Sequence, residues 1–281
     1  MQRTISPSAT GRSTDCRRSD TWATGYRPAD VAPRARSSIA ALFDAAVDAD
    51  PTRPLMTFYD DATGERTELS GATMANWVAK TANMLVDGHG LEPGDVAAVR
   101  LPPHWQSAAV LLGCWTAGIA VNLEGTARAA TMVAFVTAER LYQDGVLAAD
   151  ETFSLGLAPM AAPMRPGPPP GVLDYVVEVR PHGDTFHGSA VDPDSAALVG
   201  TDPDIPVSHA DLVALAAARA TETGLTAGAR VLIEAEATPD PLDWLLAPLA
   251  GGASVVLCRH LDPARLDARL AAERATPFPV L

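Results

Sequence analysis

Two parts of the sequence repeat one arrangement of glycines and apolar runs, and this repeat constrains the fold more than any other feature. Residues 91–101 (LEPGDVAAVRL) match residues 225–235 (LTAGARVLIEA), and residues 112–123 match residues 246–257. The glycine pairs keep one offset of 134 residues: Gly94 with Gly228, and Gly118 with Gly252. One such match can arise by chance, but a constant offset over two segments predicts a repeated plan of helix, glycine turn and strand.

The alternation of predicted helices and strands places the chain in the α/β class. Strands connected through helices form largely parallel sheets covered on both faces. A proline cluster at 158–171 is incompatible with a helix or a central strand, so it predicts a linker or surface loop. The sequence therefore predicts two related α/β subdomains, residues 37–157 and 172–281.

Composition excludes some classes of partner. The 34 acidic and 21 basic residues give a formal charge of −13, which argues against an extended nucleic-acid surface. The most apolar stretch, 107–123, is shorter than the roughly 20 residues of a membrane span, and we interpret it as a helix that leads into a buried strand. We expect a cytoplasmic protein that binds neither nucleic acid nor membrane.

The first 36 residues differ in composition from the rest. They contain seven arginines, many Ser and Thr, and almost no aliphatic periodicity, so we predict a disordered tail. The apolar centre of a secretory signal is missing. The Arg and Ser content is compatible with a transit peptide, three aspartates argue against it, and a start codon assigned too far upstream is an equally good explanation.

Serines precede two of the predicted helices. A glycine predicts the turn of one hairpin between them. Ser37 and Ser38 precede a helical pattern, and Ser70 precedes another. Between them, two short β-type runs flank DDATGE, which predicts a hairpin with Gly64 in the turn.

The junction at 197–213, ALVGTDPDIPVSHADLV, has the order strand, loop and helix start. Such a junction often holds a phosphate, because the first N–H groups of a helix are unpaired and its dipole favours an anion. This loop, however, has two aspartates, two prolines and no lysine. Lys80 is the only lysine of the chain, and we expect its ammonium group to point into solvent.

The junction and its surroundings resemble the adenylate-forming enzymes, the family of acyl-CoA synthetases, luciferases and adenylation domains. In that family a strand leads into a Ser/Thr/Gly-rich phosphate loop with a lysine, followed by Ser-His and a helix. The hairpin at 55–69, the stretch 91–123 and the C-terminal part from Trp244 are similar to the segments around it. The resemblance covers nearly all of 37–281 and implies the first part of the family's large domain.

The departures from the family pattern lie in the loop itself. Gly200 and Thr201 match the start of the family's loop, and Ser208 and His209 match its end, whereas the middle with its lysine has no counterpart. A phosphate cradle needs inward N–H groups and cations, but this loop offers one glycine and the carboxylates of Asp202 and Asp204. We also expect the protein to lack the family's adenine-binding segment and mobile C-terminal domain. The six named residues are therefore candidates for a nucleotide-loop remnant.

Structural roles explain several of the candidate residues. The pairs Asp192 with Asp194 and Asp202 with Asp204 offer carboxylates for magnesium, but Asp-Pro-Asp is more typical of a turn. Ser208 and Asp211 have the spacing of a capping box, and His209 suits an orienting hydrogen bond at a helix start. Three distant cysteines form no metal or redox motif. We predict no catalytic residue and no metal ligand.

Two functions remain open from the sequence. The favoured one is a truncated relative of the acyl-CoA synthetases without adenylation activity, a pseudoenzyme that binds a protein partner or self-associates and needs no cofactor. The alternative is the substrate-binding half of an acyl- or amino-acid-adenylating ligase, with ATP or AMP and magnesium, completed by a partner polypeptide. An unrelated α/β enzyme has only the generic strand-loop-helix junction in its favour.

Overall fold

The computed structural model describes residues 37–123, 131–143, 149–200 and 205–279. The predicted disordered tail, 1–36, lies outside these residues. The helices are α1 (Ile39–Ala49), α2 (Gly71–Asn83), α3 (Trp105–Thr116), α4 (Ala138–Gln143), α5 (Tyr175–Val179), α6 (His209–Glu222), α7 (Ala247–Gly251) and α8 (Leu266–Glu273). A π-helical turn, Met84–Gly88, continues α2, and another, Leu242–Leu246, precedes α7.

Twelve strands are present in the described part of the chain. They are β1 (Pro54–Asp60), β2 (Glu65–Ser70), β3 (Val96–Arg100), β4 (Ala120–Asn122), β5 (Thr131–Thr137), β6 (Ala149–Leu155), β7 (Leu173–Asp174), β8 (Ala196–Leu198), β9 (Val207–Ser208), β10 (Arg230–Glu234), β11 (Ser254–Arg259) and β12 (Thr276–Pro277).

The predicted helix starts and the hairpin are confirmed. The Ser38 hydroxyl accepts the Ala41 N–H and begins α1, and the Ser70 hydroxyl accepts the Thr73 N–H and begins α2. Strands β1 and β2 pair antiparallel, and Gly64 adopts φ = 76° in the turn between them. The apolar stretch 107–123 is most of α3 followed by β4, and no helix among the described residues is long and apolar enough to cross a membrane.

Two sheets contain these strands, and their pairings are largely parallel. One has the order β12-β10-β11-β1-β2 and the other has the order β7-β6-β5-β3-β4-β8-β9. Only the pairs β1–β2 and β8–β9 are antiparallel among the described strands. The predicted class, α/β with largely parallel sheets, is thus confirmed.

Each sheet takes strands from both sides of the proline-rich segment 158–171. Strands β1 and β2 lie in the sheet of β10–β12, and β8 and β9 lie in the sheet of β3–β7. The sheets therefore do not coincide with the predicted subdomains 37–157 and 172–281, and those boundaries remain a prediction from the sequence.

The sequence repeat is a structural repeat with the same hydrogen bonds. The Gly94 N–H donates to Gly118 O at 2.9 Å, and the Gly228 N–H donates to Gly252 O at 2.9 Å. All four glycines have positive φ, from 66° to 99°, which side chains disfavour. The strand pairs also share a register, since Val96 lies opposite Ala120 and Arg230 lies opposite Ser254.

Helix α3 lies in the main core. Its residues from Trp105 to Trp115 are all buried, and the Trp115 indole N–H donates to Ala197 O of β8 at 2.9 Å. Apolar burial of this kind is the main stabilising contribution to folding, at roughly 25 cal/mol per Å² of apolar area. The same helix therefore packs in the core and fixes the strand that leads into the junction.

Helix α8 is joined to the strands of its sheet by ion pairs and a hydrogen bond at Glu273. Glu273 accepts hydrogen bonds from Tyr59 (2.5 Å), Arg230 (2.6 Å) and Arg66 (3.0 Å). Burial alone would raise the Glu273 pKa, but these donors outweigh it and hold the pKa at about 2. The carboxylate therefore stays ionised at neutral pH and fixes the C-terminal end of α8.

We predict that Gly252→Ala destabilises the protein by about 1–2 kcal/mol, because φ is 66° there and a Cβ would approach Ala227 Cα to 3.3 Å. The control is Gly167→Ala, at a position without positive φ where a Cβ meets nothing within 4 Å. Urea denaturation midpoints measure the difference. Equal midpoints for the two variants would contradict the role assigned to the glycine turn.

Candidate functional site

The junction is a short antiparallel hairpin that is followed directly by a helix. Strand β8 pairs antiparallel with β9, which places Ala196 opposite Ser208 and Leu198 opposite Val207. The sequence analysis predicted strand, loop and helix and missed β9, which has only two residues. Around Gly200 a Cβ would meet nothing within 4 Å, so its surroundings are open. Thr201, Asp202 and Asp204 lie outside the described residues, and their assignments stay predictions.

The start of α6 has no free N–H group in its first three residues. His209 donates to Ser195 O (3.1 Å), Ala210 donates to Pro193 O (2.8 Å), and Asp211 donates to Ser208 Oγ (3.1 Å). An anion site at a helix start depends on unpaired N–H groups. Within the described residues, the backbone N–H groups that a phosphate would need at this helix start are therefore already hydrogen-bonded.

Ser208 has the capping role that its spacing predicts. Its hydroxyl accepts the Asp211 N–H and donates to the Asp211 carboxylate at 2.8 Å. The carboxylate also places a negative charge in the first helical turn, where the helix dipole favours it. Ser208 and Asp211 together stabilise the start of α6 without a ligand.

Helix α2 begins in the same way. Its first three N–H groups bond to Arg53 O (3.1 Å), Pro51 O (2.8 Å) and Ser70 Oγ (3.2 Å). In both cases an Asp-Pro turn precedes a hairpin whose last residue is the capping serine. Since α2 lies outside the nucleotide-loop region of the family resemblance, the shared pattern indicates a folding role for the α6 start.

The turn Asp192–Ser195 supplies two of the acceptors for α6, Pro193 O and Ser195 O. The Asp192 carboxylate accepts the Asp194 N–H at 2.9 Å, and the Ser195 hydroxyl donates to Asp192 O at 2.7 Å. This confirms the interpretation of the first Asp-Pro-Asp as a turn. Within the described ranges, no group of three or more His, Cys, Asp or Glu side chains is placed to hold a metal ion.

His209 connects the starts of two helices. Its side chain is fully buried, and Nδ1 accepts the N–H of Ile39, the first residue of α1, at 3.4 Å. Burial lowers the pKa of His209 to about 4, so the ring is neutral at neutral pH and Nδ1 is free to accept. The predicted orienting hydrogen bond is present, but its partner is 170 positions away in the sequence.

The expectation that Lys80 points into solvent is wrong. Its ammonium group donates to Arg180 O and His182 O and pairs with Asp184 at 3.0 Å, and the side chain is only 23% exposed. Helical spacing could not show this, because the partners come from a loop about 100 positions downstream. The only lysine thus holds the segment that follows α5.

Asn83 is a second anchor of that segment, and the sequence analysis missed it. Its amide Nδ2 donates to Gly183 O and to Thr185 O, both at 3.0 Å. A cavity of about 490 Å³ lies between this segment, α1 and α2. Gly200, Ser208 and His209 do not line it.

Comparison with known proteins identifies the class. The family model of AMP-binding enzymes matches residues 43–139. An acyl-CoA synthetase from Brucella canis superimposes with a TM-score of 0.66 at 17% identity, over 84% of this chain and 46% of that one. The anthranilate CoA ligase AuaEII, solved in complex with anthranoyl-AMP, superimposes with a TM-score of 0.60 at 15% identity, over 85% and 48%. The fold is thus that of the N-terminal part of an adenylate-forming enzyme, and the chain spans about half the length of these two proteins.

A relative in sequence defines the family more narrowly. A TIGR03089 family protein of Mycobacterium tuberculosis (strain ATCC 25618 / H37Rv) is 44% identical over 243 residues, which are 84% of this chain and 95% of that protein. The chain therefore belongs to the TIGR03089 family.

We predict that the buried His209 makes stability depend on pH. Because its folded pKa of about 4 lies below the unfolded value of roughly 6.5, the unfolded state binds more protons between these values. This contribution to stability, up to about 3 kcal/mol, is complete above pH 6.5 and is lost as pH falls toward 4.

The matched variant is His209→Asn, whose amide oxygen can accept the Ile39 N–H without titrating. Urea unfolding of both proteins from pH 7 to pH 4.5 measures the effect. The variant should lose less stability over this range than the wild type. Parallel pH profiles would contradict the assignment of a neutral, buried His209.

Proposed function

We propose that this protein is a non-catalytic binding or interaction module built on the N-terminal part of the adenylate-forming fold. The observation that supports this proposal is the start of α6, where the first three N–H groups bond to the chain itself. The retained Ser208 and His209 then serve folding, one as a helix cap and the other as an acceptor for α1.

The charges around the junction support the same proposal. Adenylation brings a triphosphate to the enzyme, and cations must offset its charge. Lys80, the only lysine, is held by Asp184 and two carbonyls. The sequence of the loop adds Asp202 and Asp204, and a like-charge contact at a few ångströms costs on the order of 1 kcal/mol even when screened.

A protein partner or self-association is part of this proposal. Ile205, in the junction loop, is 72% exposed, so a large apolar side chain is available there for contact with another protein surface. We propose that the junction has become a contact surface, with Ile205 at its centre. The expected cytoplasmic location is proposed with it.

The alternative function is the substrate-binding half of an adenylating ligase. Its supporting observation is the likeness to about half of two larger enzymes. Under this alternative a partner polypeptide supplies the missing groups, and ATP or AMP and magnesium bind to the assembled pair.

Nucleotide assays separate the two functions. We expect no ATP–pyrophosphate exchange by the protein alone or with candidate partner polypeptides, and no rise in Tm with ATP, AMP, CoA or an acyl-adenylate analogue plus magnesium. A ligand that binds the native state raises Tm by mass action. Exchange that appears when a C-terminal adenylation half is added, and that His209→Asn abolishes without unfolding the protein, would establish the alternative instead.

The contact surface has its own test. We expect Ile205→Asn to abolish co-purification of a stoichiometric partner, or to shift self-association in analytical ultracentrifugation. The control is Val177→Asn, at an exposed apolar position of α5 that is 51% exposed. A wild-type protein that stays a monodisperse monomer at high concentration, with no co-purifying protein, would count against the interaction module.

A further inference from the structure

A groove separate from the junction has the size of a small-molecule site. It lies between α1, α2 and the segment 184–193, and its volume is about 490 Å³. Pockets that bind small molecules typically measure roughly 300–1,000 Å³. The junction residues do not contribute to it, so the inference below goes beyond the proposed function and does not depend on it.

The groove is formed by small side chains on two packed helices. Ala40 and Ala41 of α1 and Ala75 and Ala79 of α2 leave the space open, and the ring of Phe43 lies at the base. Alanine side chains and an aromatic ring suit the apolar part of a ligand.

The opposite wall is fixed in place by the protein. Lys80 and Asn83 of α2 hold the chain at Arg180–Thr185 through four carbonyl contacts and the Asp184 ion pair. Further along this wall, a Cβ on Gly188 would lie 2.2 Å from the Phe186 ring, so a larger residue there would displace this ring. A wall held in this way costs little ordering entropy when a ligand binds.

The two charged side chains that line the groove are both acidic. Asp44 and Asp184 line it, and the described lining includes no Lys, Arg or His. Asp184 is already paired with Lys80. Asp44 is not paired with any cation in the described part of the chain, and burial together with the charge of Asp48 raises its pKa. Of the two carboxylates that line the groove, only that of Asp44 thus has no cationic partner among the described residues.

We propose that this groove binds a small ligand with a cationic amino or amidino group on an apolar body. Asp44 accepts the cationic group, while the alanines, Phe43 and Phe186 contact the body. Charge complementarity selects this class, because the exposed Asp44 carboxylate attracts a cation and repels an anion such as a nucleotide or an acyl-CoA.

Three probes of one shape test the charge preference. Phenethylamine, phenethyl alcohol and phenylacetate share nearly the same apolar body. At neutral pH the first is a cation, the second is neutral and the third is an anion. In NMR titrations of the full-length protein at neutral pH, we expect the amine to bind at millimolar concentration and to shift amide resonances of α1 and of residues 184–189. We also expect saturation with the amine to lower the measured Asp44 pKa.

Two pairs of variants test the site. Asp44→Asn should weaken amine binding about threefold to fivefold, as expected for one partly exposed charge pair, and Asp48→Asn, one turn further along α1 and outside the lining, should have a smaller effect. Ala41→Phe fills the groove and should abolish binding, whereas Ala45→Phe, exposed on the same helix and outside the lining, should not.

Equal binding of all three probes would overturn the proposed cation preference. Absence of amine binding at millimolar concentration, or amine binding that survives Ala41→Phe, would overturn the assignment of the site. All four substitutions lie on exposed positions of α1, and urea midpoints close to that of the wild type verify that each variant is folded.

Discussion

The parallel pairing of β1 with β11 is the contact on which the architecture depends. It aligns five residue pairs, from Met56 opposite Val255 to Asp60 opposite Arg259, and so joins the N-terminal hairpin to the second repeat. Without it the sheet would separate into β1–β2 and β10–β12. Closing so long a stretch of chain costs entropy, which apolar burial on both faces of the strands must offset. Glu273 of helix α8 adds a hydrogen bond from Tyr59 of β1 and an ion pair with Arg230 of β10.

The likeness between the starts of α2 and α6 gives the junction a structural explanation. Helices α2 and α6 begin with the same three hydrogen bonds, each after an Asp-Pro turn and a hairpin that ends in a capping serine. The same arrangement thus occurs at two helix starts, and the sequence resemblance to the family's phosphate loop concerns only the second. A helix whose first N–H groups are hydrogen-bonded within the chain has a stable N-terminus. Few N–H donors then remain there to bind a phosphate.

Buried and half-buried polar groups in this protein connect segments that are distant in sequence. His209 binds the first N–H of α1, and Lys80 and Asn83 of α2 bind the segment that follows α5. The only lysine of the chain, Lys80, is paired with Asp184 and hydrogen-bonded to backbone carbonyl groups. Lys80 thereby holds one wall of the groove beside α1. Asp44, which lines this groove, has no cationic partner among the described residues.

The sequence by itself determined the local structure and the fold class. Serines at helix starts, glycine turns at a constant offset of 134 residues and the alternation of helix and strand depend on neighbouring residues, so they could be predicted from local preferences. Only the tertiary structure decided which strands share a sheet, that His209 bonds to Ile39, and that Lys80 is paired with Asp184. These contacts join residues about 100 or more positions apart, and no local periodicity encodes such pairings. The groove has the same origin, because its walls come from helices and a segment that meet only after folding.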